Sequence, residues 1–566
     1  MDEGGFSEPW GTFYAHPCAW DQTFPPQAMT ELFAASVAAH PDRVLCDFYG
    51  RTTSYAATMA EARAFAAGLQ AFGIAKGDRV GLFLPNVPIY LAAYFGAMLA
   101  GAVVVNFSPL YTAAELEAQV VDSGARLLVT IDSSALLPTA LTVLRDSPLE
   151  LLIVGRLAEM LPLVQSVGLR LFRRSQLTPL SDAPDVVGWR GMLRRDALRP
   201  VAIDPLVDLA LLQYTGGTTG TPKGAMLTHQ NLSANARQIK AIDPHHDERD
   251  VIVGVLPFFH IFANACVLNR TVADGGTIAM LPRFDAGQCL KTLARTRATS
   301  MPGVPTMYQA LLDHADLAST GFASLRACIS GGAPLPLQLK QRFEAATGAK
   351  LIEGYGLTES SGVVASNPYE SGERPGTIGH PLPATHLRLL DKEDPARDAP
   401  AGEPGELAIL GPQVMRGYWN RPEADADVFA FRGEERWLRT GDIATIDGEG
   451  YIRIVDRSKD MIAVAGYKVF PSQLEAVLRE NPAVKEAAVI GVPDDYRGES
   501  PRAYVTLQPG ATTSGAELKE WVNSRLGKHE RVDDVIIRQS LPTTMVGKLD
   551  RKALRAELAA TGVSAA

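Results

Sequence analysis

Cysteine is scarce: the 566-residue chain has five, Cys18, Cys46, Cys266, Cys289 and Cys328. They are scattered, odd in number and nowhere in C-x-x-C spacing, which argues against a disulfide framework or a zinc site and fits a reducing compartment. An excess of positive charge is also missing. Lys and Arg number 54 against 63 Asp and Glu, a formal net charge of −9, so no nucleic-acid partner is expected. The N-terminus, MDEGGFSEPW, lacks the basic region and apolar run of a secretory signal, and a cytoplasmic protein is expected.

Residues 81–111 hold no charged side chain and on length alone would span a bilayer. Turn chemistry interrupts them. Pro85 and Pro88 mark a loop and a helix start, IYLAAYFGAMLA reads as a buried helix closed by Gly101, and AVVVNF as a core strand.

What remains is ordinary globular composition, 46% hydrophobic and 21% charged, in a chain long enough for two or three domains. RVGLFLP, RLLVTI, LELLIV, LALLQYT, VIVGVLP, GTIAML, LRACIS and KLIEGYG alternate with helical patterns such as AAELEAQVVDSG, which predicts an α/β fold with largely parallel sheets. Around PATHLRLLD, GEPGELAILG and EGYIRIV the strands turn short and Gly-punctuated, as in an antiparallel or barrel-like subdomain. Beyond VDRSKDMI a compact α+β rhythm begins, placing a domain boundary near Lys459, with domains at 1–458 and 459–566.

The stretch YTGGTTGTPKGAMLTH, residues 214–229, carries the most chemistry. A Walker A loop has glycine before its lysine; here Pro222 precedes Lys223. The sequence predicts a strand, a Gly/Thr loop and then a helix in HQNLSANARQIK. Glycines allow close backbone approach, threonine hydroxyls and amides donate to phosphate oxygens, and Lys223 adds a cation, so the loop suits a polyphosphate.

This loop, together with EGYGLTE (353–359), RTGD (439–442), DRSKDMI (456–462), GYKVFP (466–471) and VGKLDRK (546–552), resembles the adenylate-forming superfamily of acyl-CoA synthetases, firefly luciferases and nonribosomal peptide synthetase adenylation domains. NFSPLYTAAELEAQVVDSGARLLV, LPFFHIFA and SGGAPLP are similar to the bacterial medium- and long-chain acyl-CoA synthetases within it. The resemblance implies a large N-terminal domain of two αβ subdomains plus a β-barrel, and a small mobile C-terminal domain. It also implies a reaction: ATP and a fatty acid form an acyl adenylate, and coenzyme A then displaces AMP. A dicarboxylate or aryl-acid CoA ligase, or an acyl-AMP synthetase serving a carrier protein, is the alternative.

By that resemblance, Thr215, Gly216, Gly217, Thr218, Thr219, Gly220, Thr221 and Lys223 hold the β and γ phosphates that leave as pyrophosphate. Glu359 coordinates Mg²⁺ with Thr358 near the α-phosphate. Tyr355, within Glu353, Gly354, Tyr355 and Gly356, stacks on adenine beside Gly331, Gly332, Ala333 and Pro334. Asp442 accepts the ribose hydroxyls, being an acceptor-only carboxylate, and Arg457 adds a second contact. His260 orients the acyl carboxylate. Lys548 reaches the α-phosphate during adenylation; Lys459 is the hinge, and Ala465 and Gly466 line the pantetheine channel for the second step.

One further segment, residues 157–177, places Leu157, Met160, Leu161, Val164, Val167, Leu171 and Phe172 at helical spacing, flanked by Arg170, Arg173 and Arg174. Either this helix packs on its own domain or it makes a peripheral contact with the inner face of an anionic membrane. Oligomeric state stays open, with a homodimer among the alternatives.

Overall fold

A computed structural model describes residues 10–194, 198–215, 222–246, 248–370, 372–457, 459–465, 467–494, 496–543 and 549–560. The chain divides into two compact units, Met1–His386 with Leu410–Asp427, and Leu387–Ile409 with Val428–Ala566.

The first unit is built on parallel sheets, as the alternating strands and helices predict. Its larger sheet runs Gly417–Tyr418, Lys223–Thr228, Leu209–Thr215, Val103–Asn106, Arg79–Leu82, Ala125–Ile131, Leu151–Gly155, Val186–Gly188. The last six of these strands run parallel to one another. The helix expected in IYLAAYFGAMLA is Pro88–Leu99, with Pro at its first turn and its residues from Ile89 to Met98 buried. It is followed by the buried strand Val103–Asn106. A helix of this length falls short of a bilayer, and no helix among the described residues is long and apolar enough to cross a membrane. Ala113–Ser123 is delimited as its sequence dictates: Thr112 and Glu115 form a reciprocal capping box, and Gly124 ends it in the left-handed region at φ 62°.

A second αβ layer in the same unit has two four-stranded groups, Val251–Gly254, Thr277–Met280, Val44–Phe48, Arg51–Ser54 and Ala327–Ser330, Lys350–Tyr355, Ala365–Ser366, His380–Pro381. Ser300 bridges them, pairing in parallel with both Ile252 and Ala327. Its apolar core includes Val253, Leu293, Tyr308, Cys328, Phe343 and Leu351.

The second unit begins with an antiparallel sheet in the region of short, Gly-punctuated strands. Its central strand, Glu435–Ile446, pairs with Gly405–Leu410, Phe429–Arg432 and Ile452–Arg457. Beyond it, Ile462–Val464, Tyr467–Val469, Val484–Asp494, Gly498–Leu507 and Asp534–Ile537 form another sheet, packed with the helices Pro471–Arg479 and Gly515–Asn523 around a core of its own that includes Ile462, Leu474, Val489, Val505 and Leu518.

Candidate active site

The Gly/Thr loop joins two strands, not a strand and a helix. Leu209–Thr215 turns back into Lys223–Thr228, antiparallel, with Thr215 opposite Lys223; the helix starts only at His229, capped by Thr228. The sequence reading missed this second strand. Gly216, Gly217, Thr218, Thr219, Gly220 and Thr221 lie outside the described residues. The mouth of the hairpin is held firmly. Tyr214 donates its phenol to Asp122 at 2.6 Å, and the same carboxylate takes a guanidinium hydrogen bond from Arg421 at 2.6 Å. A Cβ on Gly224 would meet the Tyr214 ring at 3.3 Å, so glycine lets the ring cross the strand there.

Glu359 is presented by the short helix Thr358–Ser360. The turn beneath it admits no side chain at Gly356, where a Cβ would come within 1.6 Å of the Gly362 carbonyl oxygen. Tyr418 donates to Glu359 Oε1 at 2.6 Å, and the ammonium of Lys223 lies 5.2 Å from the Tyr418 ring centre, within cation–π reach. Burial and the adjacent Glu359 carboxylate push the Tyr418 phenol well above its ordinary range, so it stays a donor. The structure thus joins Lys223 to Glu359 through a residue absent from the sequence reading. Tyr418 reaches them because Gly417–Tyr418 pairs with Met226 and Ala225 at the sheet edge; its only trace in the sequence is the aromatic pair of RGYWN.

The residues expected at adenine share one stretch of sheet. Ser330 pairs with Glu353 across parallel strands, and the Leu335 amide donates to Glu353 Oε1 at 3.3 Å, tying the turn of Gly331, Gly332, Ala333 and Pro334 to the strand that ends at Gly354 and Tyr355. Gly332 has φ +82°. A Cβ on Gly331 would strike the Phe262 ring at 2.9 Å, so this turn lies against the loop bearing His260. The His260 imidazole accepts the Phe262 amide at 3.3 Å, and the ring is partly buried. Its loop rests on buried amides: Asn86 accepts the Phe258 amide at 2.8 Å, and Gln213 donates to the Phe259 carbonyl at 2.7 Å. Asn106 donates to Gln213 at 3.1 Å while accepting from Tyr90 at 2.7 Å. Such a network specifies one backbone path because each amide is satisfied only in that arrangement. These four polar residues were not singled out from the sequence, since an isolated Asn or Gln in an apolar run carries no motif.

In the second unit Asp442 and Arg457 stand opposite each other on paired strands, with Arg457 Nε 3.3 Å from Asp442 Oδ1. Asp442 is buried and Arg457 half exposed. Gly441, at φ +73°, turns its amide onto Glu406 at 3.1 Å. Lys459 is exposed in the turn that follows. Gly466 and Lys548 lie outside the described residues. The chain on either side of the latter is pinned by a bridge between Thr543 and Leu549 and by the Asp550 amide on the Pro542 carbonyl at 2.9 Å.

No group of three His, Cys, Asp or Glu side chains that would hold a metal ion occurs among the described residues. A Mg²⁺ carried on a triphosphate needs less, one or two carboxylates beside phosphate and water oxygens. Glu359, with Oε1 engaged by Tyr418, fits that requirement as a single hard oxygen donor.

The profile described as AMP-binding enzyme matches residues 33–419, and that of the AMP-binding enzyme C-terminal domain matches residues 473–548. The chain is 36% identical to a long-chain-fatty-acid–CoA ligase of Bacillus subtilis over 97% of its length and 98% of the relative's. It is 38% identical to one of Yersinia pestis over 95% of each. Among solved structures it is similar to ATP-bound MatB from Rhodopseudomonas palustris, with TM-score 0.80 and 30% identity over 94% of this chain and 99% of that one. It is also similar to the anthranilate CoA ligase AuaEII in complex with anthranoyl-AMP, with TM-score 0.82 and 26% identity over 95% and 99%. Matched by both profiles and aligned with relatives over nearly their whole length, the chain belongs to the AMP-binding enzyme family.

Proposed function

We propose that the protein is an ATP-dependent, AMP-forming ligase that joins a medium- or long-chain fatty acid to coenzyme A. The observation that carries this reading is the joining of Lys223, at the mouth of the Gly/Thr hairpin, to Glu359 through Tyr418. This is a cation and a metal-binding carboxylate held together where a polyphosphate is to be gripped. The long-chain-fatty-acid–CoA ligases that share its length support the substrate class.

A carboxylate is a poor acyl donor because its leaving group would be oxide. In the first step it attacks the α-phosphorus of ATP, the bond to the β-phosphate bridging oxygen breaks, and pyrophosphate departs. Both partners are anionic, so the protein's task is to position them and neutralise charge. Residues 215–223 hold the departing phosphates. Bound at Glu359, Mg²⁺ would neutralise phosphate oxygens. Tyr355 stacks on adenine, Asp442 accepts the ribose hydroxyls with Arg457 beside it, His260 orients the acyl carboxylate, and Lys548 supplies a cation to the α-phosphate. In the second step the thiol of coenzyme A attacks the acyl carbonyl and AMP leaves. Domains divided at 458/459 would exchange Lys548 for Ala465 and Gly466 between steps, with Lys459 as hinge.

An aryl-acid reading is favoured by the anthranilate CoA ligase above and by a feruloyl-CoA synthase of Amycolatopsis 36% identical over 502 residues. A panel of fatty acids of graded length, with aryl acids and dicarboxylates, read by pyrophosphate release with and without coenzyme A, tests the assignment. Turnover confined to aryl acids, or release of ADP and orthophosphate, overturns it.

A further inference from the structure

Asp122 has no part in the chemistry assigned above, yet both of its carboxylate oxygens are engaged beside the Gly/Thr hairpin. It stands near the C-terminal end of the helix Ala113–Ser123, with its side chain 22% exposed. Oδ2 accepts the Tyr214 phenol and Oδ1 the Arg421 guanidinium, each at 2.6 Å. Hydrogen bonds of this kind, short and made to a charged acceptor, are strong and directional. Tyr214 immediately precedes Thr215 and pairs across the strands with Gly224, so its phenol anchors the hairpin at its mouth. Burial and the Asp122 carboxylate raise that phenol above its ordinary range, which keeps it a donor.

The same helix end holds the segment that carries Tyr418. Trp419 donates its indole N–H to the Asp122 carbonyl at 3.1 Å and its amide to the Gly224 carbonyl at 2.8 Å. The Arg79 guanidinium lies 5.6 Å from the Trp419 ring centre, and its Nε donates to the Ser123 carbonyl at 2.9 Å. Residues 418–421 therefore reach Glu359 at one end, through Tyr418, and Asp122 at the other, through Arg421. The arrangement makes an electrostatic demand. A carboxylate beside a hairpin that takes a triphosphate repels its ligand unless its charge is cancelled. Arg421 supplies the opposite charge from a side chain 31% exposed, where salt screens the pair only in part.

We propose that Asp122 is a positioning residue for adenylation: through Tyr214 and Arg421 it fixes the mouth of the Gly/Thr hairpin against the segment that orients Glu359, and so sets the grip on the β and γ phosphates. Arg421 has a separate task, to cancel the Asp122 charge. This rests on the assignment of the hairpin to the departing pyrophosphate. None of the three residues touches a bond that is made or broken. Loss of Asp122 is therefore felt by ATP and pyrophosphate, and not by the attack of coenzyme A on a bound acyl adenylate, which has no β or γ phosphate.

The experiment measures both half-reactions of the full chain: exchange of pyrophosphate into ATP, giving KM for ATP and for pyrophosphate, and thioester formation from supplied acyl-AMP. Asp122→Ala should raise both KM values by roughly ten- to a hundredfold, the scale of a lost hydrogen bond to a charged group, while thioester formation stays at the parent's rate. Arg421→Met should raise them as well, because it leaves the carboxylate bare. Adding Asp122→Asn to Arg421→Met removes the charge but keeps an acceptor for Tyr214, and should recover most of the loss. That recovery separates the proposal from a merely structural role, in which a second substitution only adds damage. Equal loss in both half-reactions for Asp122→Ala, parental KM values in that variant, or a double variant no better than Arg421→Met overturns the proposal while leaving the hairpin's assignment intact. A parent that exchanges no pyrophosphate with any fatty acid removes the assignment itself, and the proposal with it.

Discussion

Tyr418 hydrogen-bonds Glu359 from the far edge of an eight-stranded sheet, at 2.6 Å. The donor fixes the carboxylate's rotamer, so Tyr418→Phe leaves Glu359 free to turn away from the hairpin. A hydrogen bond to a charged group is worth about 1.5–3 kcal/mol, and loss of one that positions a metal ligand should lower adenylation kcat/KM by roughly ten- to a hundredfold. Raised Mg²⁺ should recover part of it. Pyrophosphate exchange measured across a magnesium titration checks this, and an unchanged magnesium dependence would remove Tyr418 from the site.

Lys548→Ala should lower adenylation by on the order of a hundredfold or more, the scale of one preorganised transition-state donor. Thioester formation from supplied acyl-AMP should be largely spared. Equal damage to both half-reactions would contradict the role assigned to this lysine.

Arg551 secures the helix that follows the Lys548 loop. Its guanidinium pairs with the buried Glu475 at 2.8 Å and with Asp460 at 3.3 Å. Burial raises the Glu475 carboxyl above its ordinary range, and the Arg551 charge works against that rise. A carboxyl whose folded value is raised contributes stability fully below its unfolded value, and that contribution is lost as pH climbs through the folded value. Arg551→Met removes the opposing charge, so it should cost about 3–5 kcal/mol near neutrality and progressively less as acid protonates Glu475. Adding Glu475→Gln should restore most of the loss. Urea denaturation at several pH values, monitored by Trp521 fluorescence in the second unit, provides the measurement.

Burial lowers the His229 imidazole from 6.5 to about 4, partly offset by the Asp208 carboxylate. A group with a depressed folded value contributes stability above its unfolded value that disappears as pH falls through the folded one. The protein should therefore lose stability between about pH 6.5 and 4, and His229→Gln should flatten that part of the profile. Thermal midpoints recorded across this range would show the difference; parallel curves would contradict it.

Gly356→Ala would place a methyl 1.6 Å from the Gly362 carbonyl oxygen. The backbone beneath Glu359 must shift, at a cost of at least about 2 kcal/mol, visible as a lowered denaturation midpoint together with reduced adenylation.

The parallel strands were legible because buried β-branched runs such as Val103–Asn106 and Leu151–Gly155 announce themselves by composition, and helix ends such as Thr112 and Gly124 by cap chemistry. Lys223–Thr228 was not, because KGAMLT is short, opens with a charge and a glycine, and becomes a strand only by pairing with Leu209–Thr215. Tyr418 failed to show for a related reason: its partner lies 59 positions earlier, and no local pattern encodes a contact made by sheet pairing. The helix at 163–172 presented a readable apolar stripe, but periodicity does not say which way a stripe faces, and here it faces water.

The amide floor under the His260 loop has a bearing on protein engineering. Asn106 donates to Gln213, which donates to the Phe259 carbonyl, while Asn86 donates to the Gly254 and Leu256 carbonyls and accepts the Phe258 amide, so trading any one for an aliphatic residue strands its partners without bonds. Libraries that aim to change acid preference by randomising positions around 258–262 should hold these three amides constant, and draw their diversity from side chains whose neighbours ask only for volume.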